Sequence, residues 1–323
     1  LRAGYDPKLA CGVICASGTL GQIIPPSTVL IFMGDMLAGI NAQVQMAKGN
    51  FAPTPVSVGD LFAGAMIPGL LLVGLYFLYT LWKTIFDPKS CPAMVVTDAE
   101  RAALGRDVLT ALLPPLLLIV TVLGSILAGI ATPTESASVG VAGAAILAVI
   151  KKRFSFATLR EATINTATVT SMVFVILLGA AVFSIVFRMM GGDNLVHEVL
   201  SDLPGGAMGA LIVVMFVMFL LGFILDTFEI IFIVIPITAP VLLNLGVDPL
   251  WLGVLVGVNL QTSFMTPPFG FSLFYLRGVA PASVTTGMIY KGVLPFVFLQ
   301  IVAITLLLSF PALTTWLPKV IYN

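Results

Sequence analysis

The chain has 323 residues, of which 59% are hydrophobic and 9% are charged, and its mean hydropathy is +1.11. A soluble domain of this composition would expose far more apolar surface than soluble proteins do, so the chain belongs in a lipid bilayer. Fifteen basic residues balance fifteen acidic ones, which leaves no net positive field for nucleic acid and excludes it as a partner.

Apolar stretches follow one another along the whole chain, and each is long enough for the roughly 20 helical residues that a membrane crossing needs. This pattern predicts an all-α, multi-spanning membrane protein embedded in the lipid bilayer. The stretches lie at about 9–39, 61–82, 107–130, 134–150, 166–187, 207–244, 250–278 and 285–317.

Basic residues collect in two of the connections, at 83–106 and near residue 151. They are Lys83, Lys89, Arg101, Arg106, Lys151, Lys152, Arg153 and Arg160. Short loops rich in Lys and Arg face the cytoplasm, so we expect both connections on that side. The connection at 190–206 contains acidic residues and neither Lys nor Arg, and we expect it on the external side.

An internal repeat relates the beginning of the chain to its last third. "GYDP" ends at Pro7 and "GVDP" ends at Pro249, and in each copy a proline pair begins 18 residues later, at Pro25 and Pro267. The charge pattern starts the first copy in the cytoplasm and the second outside, so the copies are inverted. Inverted repeats with interrupted helices at matching positions indicate a secondary transporter with its site near the bilayer midplane. A kink for helix packing is the alternative origin of such a pair.

Each proline pair predicts a break in a helix, because proline lacks an amide hydrogen and disfavours helical geometry in the preceding residue. The breaking residues are Pro25, Pro26, Pro267 and Pro268. The carbonyls four residues upstream, those of Gly21, Gln22, Ser263 and Phe264, then lose their helical partners. Free carbonyls beside hydroxyl and amide groups suit a hard cation. The side chains that accompany the breaks, and that we predict to bind cation and substrate, are Ser17, Thr19, Asn259, Gln261, Thr262, Ser263 and Thr266.

The stretch at 207–244 is about twice the length of one crossing, yet its middle is polar. Both of its ends connect to the predicted external face, so the chain either crosses twice or returns as a re-entrant hairpin. In the hairpin, Gly222, Asp226, Thr227 and Glu229 lie at membrane depth, where ionisable groups are functional by default. With two crossings, Asp226 and Glu229 lie in an ordinary solvated turn. We favour the hairpin and include Asp226 and Thr227 in the predicted site.

Three cysteines and one histidine leave little chemistry for an enzyme. Cys11 and Cys15 share a helix face, but no further metal ligand is near them, so we interpret them as core residues. His197 lies in a polar connection without a nucleophile or a metal cluster beside it. The sequence therefore predicts a transport protein rather than an enzyme, with no cofactor.

Four segments resemble the large membrane subunit of the tripartite ATP-independent periplasmic (TRAP) transporters, and the resemblance extends over essentially the whole chain. They are "GYDPKLACGVICASGTLGQIIPPS", "ATPTESASVGV", "GFILDTFEIIFIVIPITAPV" and "LQTSFMTPPFGFSLFYLRGVAP". The double-proline segments are the most specific part. The resemblance implies an elevator-type transporter of the bacterial inner membrane, in which broken helices and re-entrant hairpins move against a scaffold.

The resemblance also implies that sodium is the coupling ion and that the substrate is an organic acid. A soluble periplasmic binding protein would deliver the substrate, and a small membrane subunit would brace the scaffold. Carried over by position, sodium sites lie around Ser17–Gly21, which adds Gly18 and Gly21 to the candidate ligands, and around Asn259–Thr266. Asp226 would belong to the tip of the outer hairpin.

The resemblance divides the chain into the C-terminal part of a first inverted repeat, residues 1–100, and a second repeat, residues 101–323. The second comprises scaffold helices at about 104–205, an outer hairpin at about 206–245, a broken helix at 249–278 and a final helix at 284–318. The family's first hairpin should precede "GYDP", so we expect that part to be missing and this chain alone not to transport. The open alternative is a related sodium and anion symporter that needs no binding protein.

Overall fold

The computed structural model describes residues 4–93, 98–268 and 270–322, with their side chains except those of residues 98–102 and 107. The described chain is helical and contains no strand, which confirms the predicted all-α class. Its helices are α1 (Pro7–Thr19), α2 (Thr28–Ala47), α3 (Val58–Phe86), α4 (Asp98–Leu127), α5 (Pro133–Ile150), α6 (Phe156–Met189), α7 (Gly192–Ser201), α8 (Gly206–Leu221), α9 (Thr227–Glu229), α10 (Ile235–Asn244), α11 (Pro249–Met265), α12 (Phe271–Val279), α13 (Thr286–Ser309) and α14 (Ala312–Tyr322).

Seven helical segments of the described chain are long and apolar enough to cross a membrane. They are α2, α3, the Ala103–Leu127 part of α4, α5, α6, Thr227–Asn244 and α13. Thr227–Asn244 consists of α9 and α10 joined by a π-helical turn. The predicted stretches at 9–39 and 250–278 are each split into two helices. The protein is therefore a multi-pass membrane protein in which two helical stretches are interrupted, at Pro25–Pro26 and at Pro267–Pro268, whereas Pro114 and Pro115 lie within the continuous helix α4.

Contacts divide the chain into two compact units, residues 1–92 with 176–323, and residues 93–175. In the smaller unit α5 packs on α4, and the hydroxyl oxygens of Ser125 and Ser136 lie 2.8 Å apart between them. The N-terminus of α5 is closed by a capping box, in which Thr132 and Glu135 each accept a hydrogen bond from the other's backbone amide.

In the larger unit α11 is the most enclosed helix, and every residue from Trp251 to Met265 is buried. The helices α2, α3, α8 and α13 pack around this helix and cover it, including its polar residues Asn259 and Gln261. The indole nitrogen of Trp251 donates a hydrogen bond of 2.9 Å to the carbonyl of Leu307. Helices from both predicted repeats are thus interleaved in one unit.

The helices α1 and α13 cross with their backbones in contact. A Cβ atom placed on Gly12 would clash with the carbonyl oxygen of Gly292, and one on Gly292 would clash with the carbonyl oxygen of Lys8. Small residues allow helices in a membrane to approach this closely. The crossing joins the first broken helix to the last long helix of the other predicted repeat.

We predict that Gly12→Ala destabilises the protein, because the new methyl group forces α1 away from α13. Overpacking of this kind costs about 1–3 kcal/mol, so the midpoint of thermal unfolding in detergent should fall. Gly74→Ala in α3 is the matched control, since nothing lies within 4 Å of its Cβ position and alanine favours a helix. A parental unfolding midpoint for Gly12→Ala would show that the crossing tolerates a side chain.

Candidate functional site

The first break lies between α1 and α2. The helix α1 ends at Thr19, a 3-10 turn follows at Leu20–Gln22, and the peptide bond between Pro25 and Pro26 is cis. The hydroxyl of Ser27 donates a hydrogen bond of 2.5 Å to the carbonyl of Gln22, and its oxygen accepts one from the amide of Leu30. Ser27 therefore starts α2 and also satisfies a carbonyl that the helix no longer uses.

The second break has the same construction. The helix α11 ends at Met265, the peptide bond between Pro267 and Pro268 is cis, and α12 begins at Phe271. The carbonyl of Phe264 accepts a hydrogen bond of 2.9 Å from the hydroxyl of Ser272. The carbonyl of Ser263 accepts one of 3.1 Å from the amide of Thr266. A side chain beyond the prolines again takes the place of a missing helical donor.

The two breaks meet in the interior of the larger unit. The amide nitrogen of Gln261 lies 3.4 Å from the hydroxyl oxygen of Thr19, which itself donates to the carbonyl of Ala16. Gln261 is fully buried, and its oxygen has no hydrogen-bond partner among the described residues. Such an oxygen is costly to bury unless something binds it. The fold thus places an unsatisfied acceptor where the two broken helices touch.

The turn between α8 and α9 packs on the second break. A Cβ atom on Gly222 would clash with the hydroxyl oxygen of Ser263, so only glycine allows this approach. Asp226 caps α9 by accepting a hydrogen bond of 2.7 Å from the amide of Thr227, while its own amide donates to Glu229. With 16 residues, α8 is about 24 Å long, which is shorter than a bilayer core. Since Thr227–Asn244 is long enough to cross a membrane and α8 is shorter, the choice between a re-entrant hairpin and two crossings stays a prediction.

Several of the predicted ligands are already engaged within the protein. The amide nitrogen of Asn259 donates a hydrogen bond of 2.7 Å to the carbonyl of Met215 and so connects α11 to α8. The hydroxyls of three further residues donate hydrogen bonds to carbonyls of the same segment: Thr262 to Val258, Ser263 to Leu260, and Thr266 to Thr262. Their oxygens keep lone pairs for a further ligand. Ser17 and Gly21 are exposed at the first break.

A cavity of about 600 Å³ opens beside the meeting point of the breaks. Of the predicted site residues it includes Gly18, Thr19 and Asp226, and it brings them together from two separate parts of the chain. The remaining lining residues, which the sequence did not single out as ligands, are Ile14, Cys15, Gln22, Phe264, Phe271, Ser272, Tyr275, Leu276 and Val279.

Two of these additional lining residues, Gln22 and Ser272, have polar side chains beside a proline pair. The side-chain oxygen of Gln22 is buried without a hydrogen-bond partner among the described residues, and Ser272 bonds to Phe264. The sequence signal was their position within four residues of a proline pair, at the start or end of a break.

In the part of the chain that the structure describes, no three His, Cys, Asp or Glu residues cluster as a metal site would require. The available donors are hydroxyl, amide and carbonyl oxygens, which suit a hard cation.

Comparisons with known proteins agree with this architecture. The family model for the DctM component of tripartite ATP-independent periplasmic transporters matches residues 1–313. The chain is 30% identical to the C4-dicarboxylate TRAP transporter large permease protein DctM of Pseudomonas aeruginosa, over 99% of the chain and 69% of that protein.

Two further relatives are named for other substrates. The sialic acid TRAP transporter permease protein SiaT of Haemophilus influenzae is 27% identical over 99% of the chain and 48% of its own length. The ectoine TRAP transporter large permease protein TeaC of Halomonas elongata is 25% identical over 98% of the chain and 69% of its own length. The family model and these relatives show that the chain belongs to the DctM-component family of TRAP transporters, whose members are membrane permeases and not enzymes.

Proposed function

We propose that this chain is the permease of a sodium-driven importer of an organic acid. The main observation behind this proposal is that two helices broken by prolines meet at Gln261 and Thr19, beside a cavity that Asp226 also lines. Inverted repeats with such breaks are the arrangement in which secondary transporters bind ions and substrate at the bilayer midplane. The C4-dicarboxylate, sialic acid and ectoine named for the relatives support a small organic solute as the substrate.

Buried oxygen atoms without partners support sodium as the coupling ion. The side-chain oxygens of Gln22 and Gln261 lack hydrogen-bond partners among the described residues, and the hydroxyl of Thr19 lies beside Gln261. A hard cation would compensate for the cost of burying them. In our proposal the segment Ser17–Gly21 supplies one sodium site, and the segment Asn259–Thr266 supplies the other.

The charge of the cavity supports coupling between sodium and an anionic substrate. Asp226 is the only charged side chain among the described residues that line it, while Thr19 and Ser272 contribute hydroxyl groups. An organic anion entering an otherwise uncharged, low-dielectric site would be repelled by Asp226. Bound sodium ions would offset this repulsion, so the anion binds favourably only after the ions.

The remaining parts of the proposal concern movement and partners. We propose that the broken helices and the α8–α10 hairpin move together as the mobile part of an elevator-type transporter. A periplasmic binding protein would deliver the organic acid, and a small membrane subunit would support the permease in the bacterial inner membrane. The name of the matched family, which calls the transporter tripartite and periplasmic, supports both partners.

Uptake by the complete transporter in proteoliposomes tests the function. With an inward sodium gradient and the soluble binding protein present, we expect accumulation of an organic acid, and none when potassium replaces sodium. Accumulation without the binding protein would instead favour the binding-protein-independent sodium and anion symporter. Equal uptake in sodium and potassium would contradict sodium coupling.

We predict that Thr19→Val raises the sodium concentration needed for half-maximal uptake by about ten-fold, the equivalent of about 1.4 kcal/mol. The substitution keeps the branched shape and removes the hydroxyl that lies beside Gln261. Thr19→Ser is the matched control, because it keeps the oxygen and should keep the parental sodium dependence. If Thr19→Val has the same sodium dependence as Thr19→Ser, the first break does not bind the coupling ion.

We predict that Asp226→Asn folds normally and loses most of its sodium-driven uptake, because without this charge the binding of the anion no longer depends on bound sodium ions. Asparagine caps a helix as well as aspartate does, so the substitution removes the charge and keeps the cap at Thr227. Asp226→Ala removes both and should also cost about 1 kcal/mol of stability. The measurements are uptake at matched protein amounts and thermal unfolding. If Asp226→Asn keeps the parental uptake, Asp226 lies in an ordinary solvated turn and has no role in transport.

A further inference from the structure

A group of cations lies at one end of the smaller unit, where α5 ends and α6 begins. Lys151, Lys152 and Arg153 follow the last residue of α5 directly. The ammonium nitrogen of Lys151 donates a hydrogen bond of 2.7 Å to the carbonyl of Thr110, which fixes this end of α5 beside α4. Arg106 is exposed one helical turn before Thr110, at the same end of the unit. We call Arg106, Lys152 and Arg153 the cationic end.

These cations are not neutralised within the described structure. The ion pairs among the described side chains join Lys83 to Asp87 and Arg188 to Asp193, and neither involves the cationic end. After Arg153 the next acidic residue is Glu161, which directly follows another cation, Arg160. Asp107 follows Arg106 in the sequence, and its side chain lies outside the described part of the chain. Lys152 and Arg153 therefore present their positive charge to the surroundings.

Lys152 occupies a backbone conformation that normally belongs to glycine. Its φ angle is +53°. Its amide donates to the carbonyl of Val149, and the amide of Arg153 donates to that of Ala148. These two bonds form a Schellman motif, whose left-handed position is usually glycine because a Cβ atom is unfavourable there. A lysine at this position adds a charge at some expense of helix stability, which points to a use for the charge.

Large apolar side chains are exposed directly beside the cations. Ile150, Phe154 and Phe156 are 66%, 47% and 79% exposed. A free inorganic anion would need only the cations. An anionic phospholipid needs both groups, because its phosphate binds the cations while its acyl chains cover the apolar side chains.

We propose that the cationic end binds the headgroup of an anionic phospholipid in the membrane leaflet on that side, with Ile150, Phe154 and Phe156 against its acyl chains. The topological signal of positively charged loops explains why Lys and Arg occur in this connection. It does not require one of them in a left-handed conformation, nor phenylalanines exposed beside them. The lipid accounts for all three features.

The test compares phosphatidylglycerol with phosphatidylcholine as ligands of the delipidated, purified transporter, titrated and measured by native mass spectrometry. We expect the parent to prefer phosphatidylglycerol. The preference should fall in Arg106→Gln/Lys152→Gly/Arg153→Gln by roughly five-fold for each cation removed, which corresponds to about 1 kcal/mol per charge. Lys152→Gly alone should weaken the preference while thermal unfolding stays at or above the parental midpoint, because glycine suits the left-handed position.

A matched control removes three exposed cations elsewhere, in Lys8→Gln/Lys89→Gln/Lys291→Gln. This variant has the same change in net charge and should keep the parental preference for phosphatidylglycerol. An equal loss in both triple variants would overturn the proposal, because it would show a general effect of charge. Unchanged preference in the first triple variant would overturn it too. So would displacement of the lipid by inorganic phosphate, which would identify the cationic end as an ion site.

Discussion

Backbone hydrogen bonding in lipid is the constraint on which the rest of this structure depends. A helix satisfies its own amides and carbonyls, and each interruption leaves several groups for which lipid offers no hydrogen-bond partner. This chain interrupts two helices at proline pairs and then supplies local substitutes. Ser27 bonds to the carbonyl of Gln22, and Ser272 bonds to that of Phe264. The breaks are stable within the membrane because hydroxyl groups beyond the prolines replace the lost helical donors.

Close backbone approach then brings the two breaks together. Gly12 and Gly292 let α1 and α13 cross without side chains between them, and Gly222 lets the turn between α8 and α9 reach Ser263. The central helix α11 is enclosed by helices from both predicted repeats. One compact unit of the chain, residues 1–92 with 176–323, joins parts of both predicted repeats. A site made from one half of each repeat requires this interleaving.

The candidate site therefore separates into residues that hold the architecture and residues that remain available. Asn259 links α11 to α8, and the hydroxyls of Thr262 and Ser263 bond within their own helix. Among the described residues, the side-chain oxygens of Gln22 and Gln261 are buried at the breaks without partners, and Gln261 lies beside Thr19. Asp226 combines both roles, since it caps α9 and also places a charge at the cavity.

The sequence by itself determined the solvent, the helical class, the positions of both breaks and the family resemblance. The composition, the length of each apolar run and the absence of an amide hydrogen on proline are local properties. Their effects do not depend on which residues lie nearby in the folded protein. The tertiary structure alone decided which polar groups lack partners, that Gln261 meets Thr19, and that Ser272, Gln22 and Tyr275 share a cavity with Asp226. These features depend on how closely two helices approach when they are distant in the sequence. Thr19 and Gln261, for example, are 242 positions apart. Only the packing of the folded chain sets the distance between such residues.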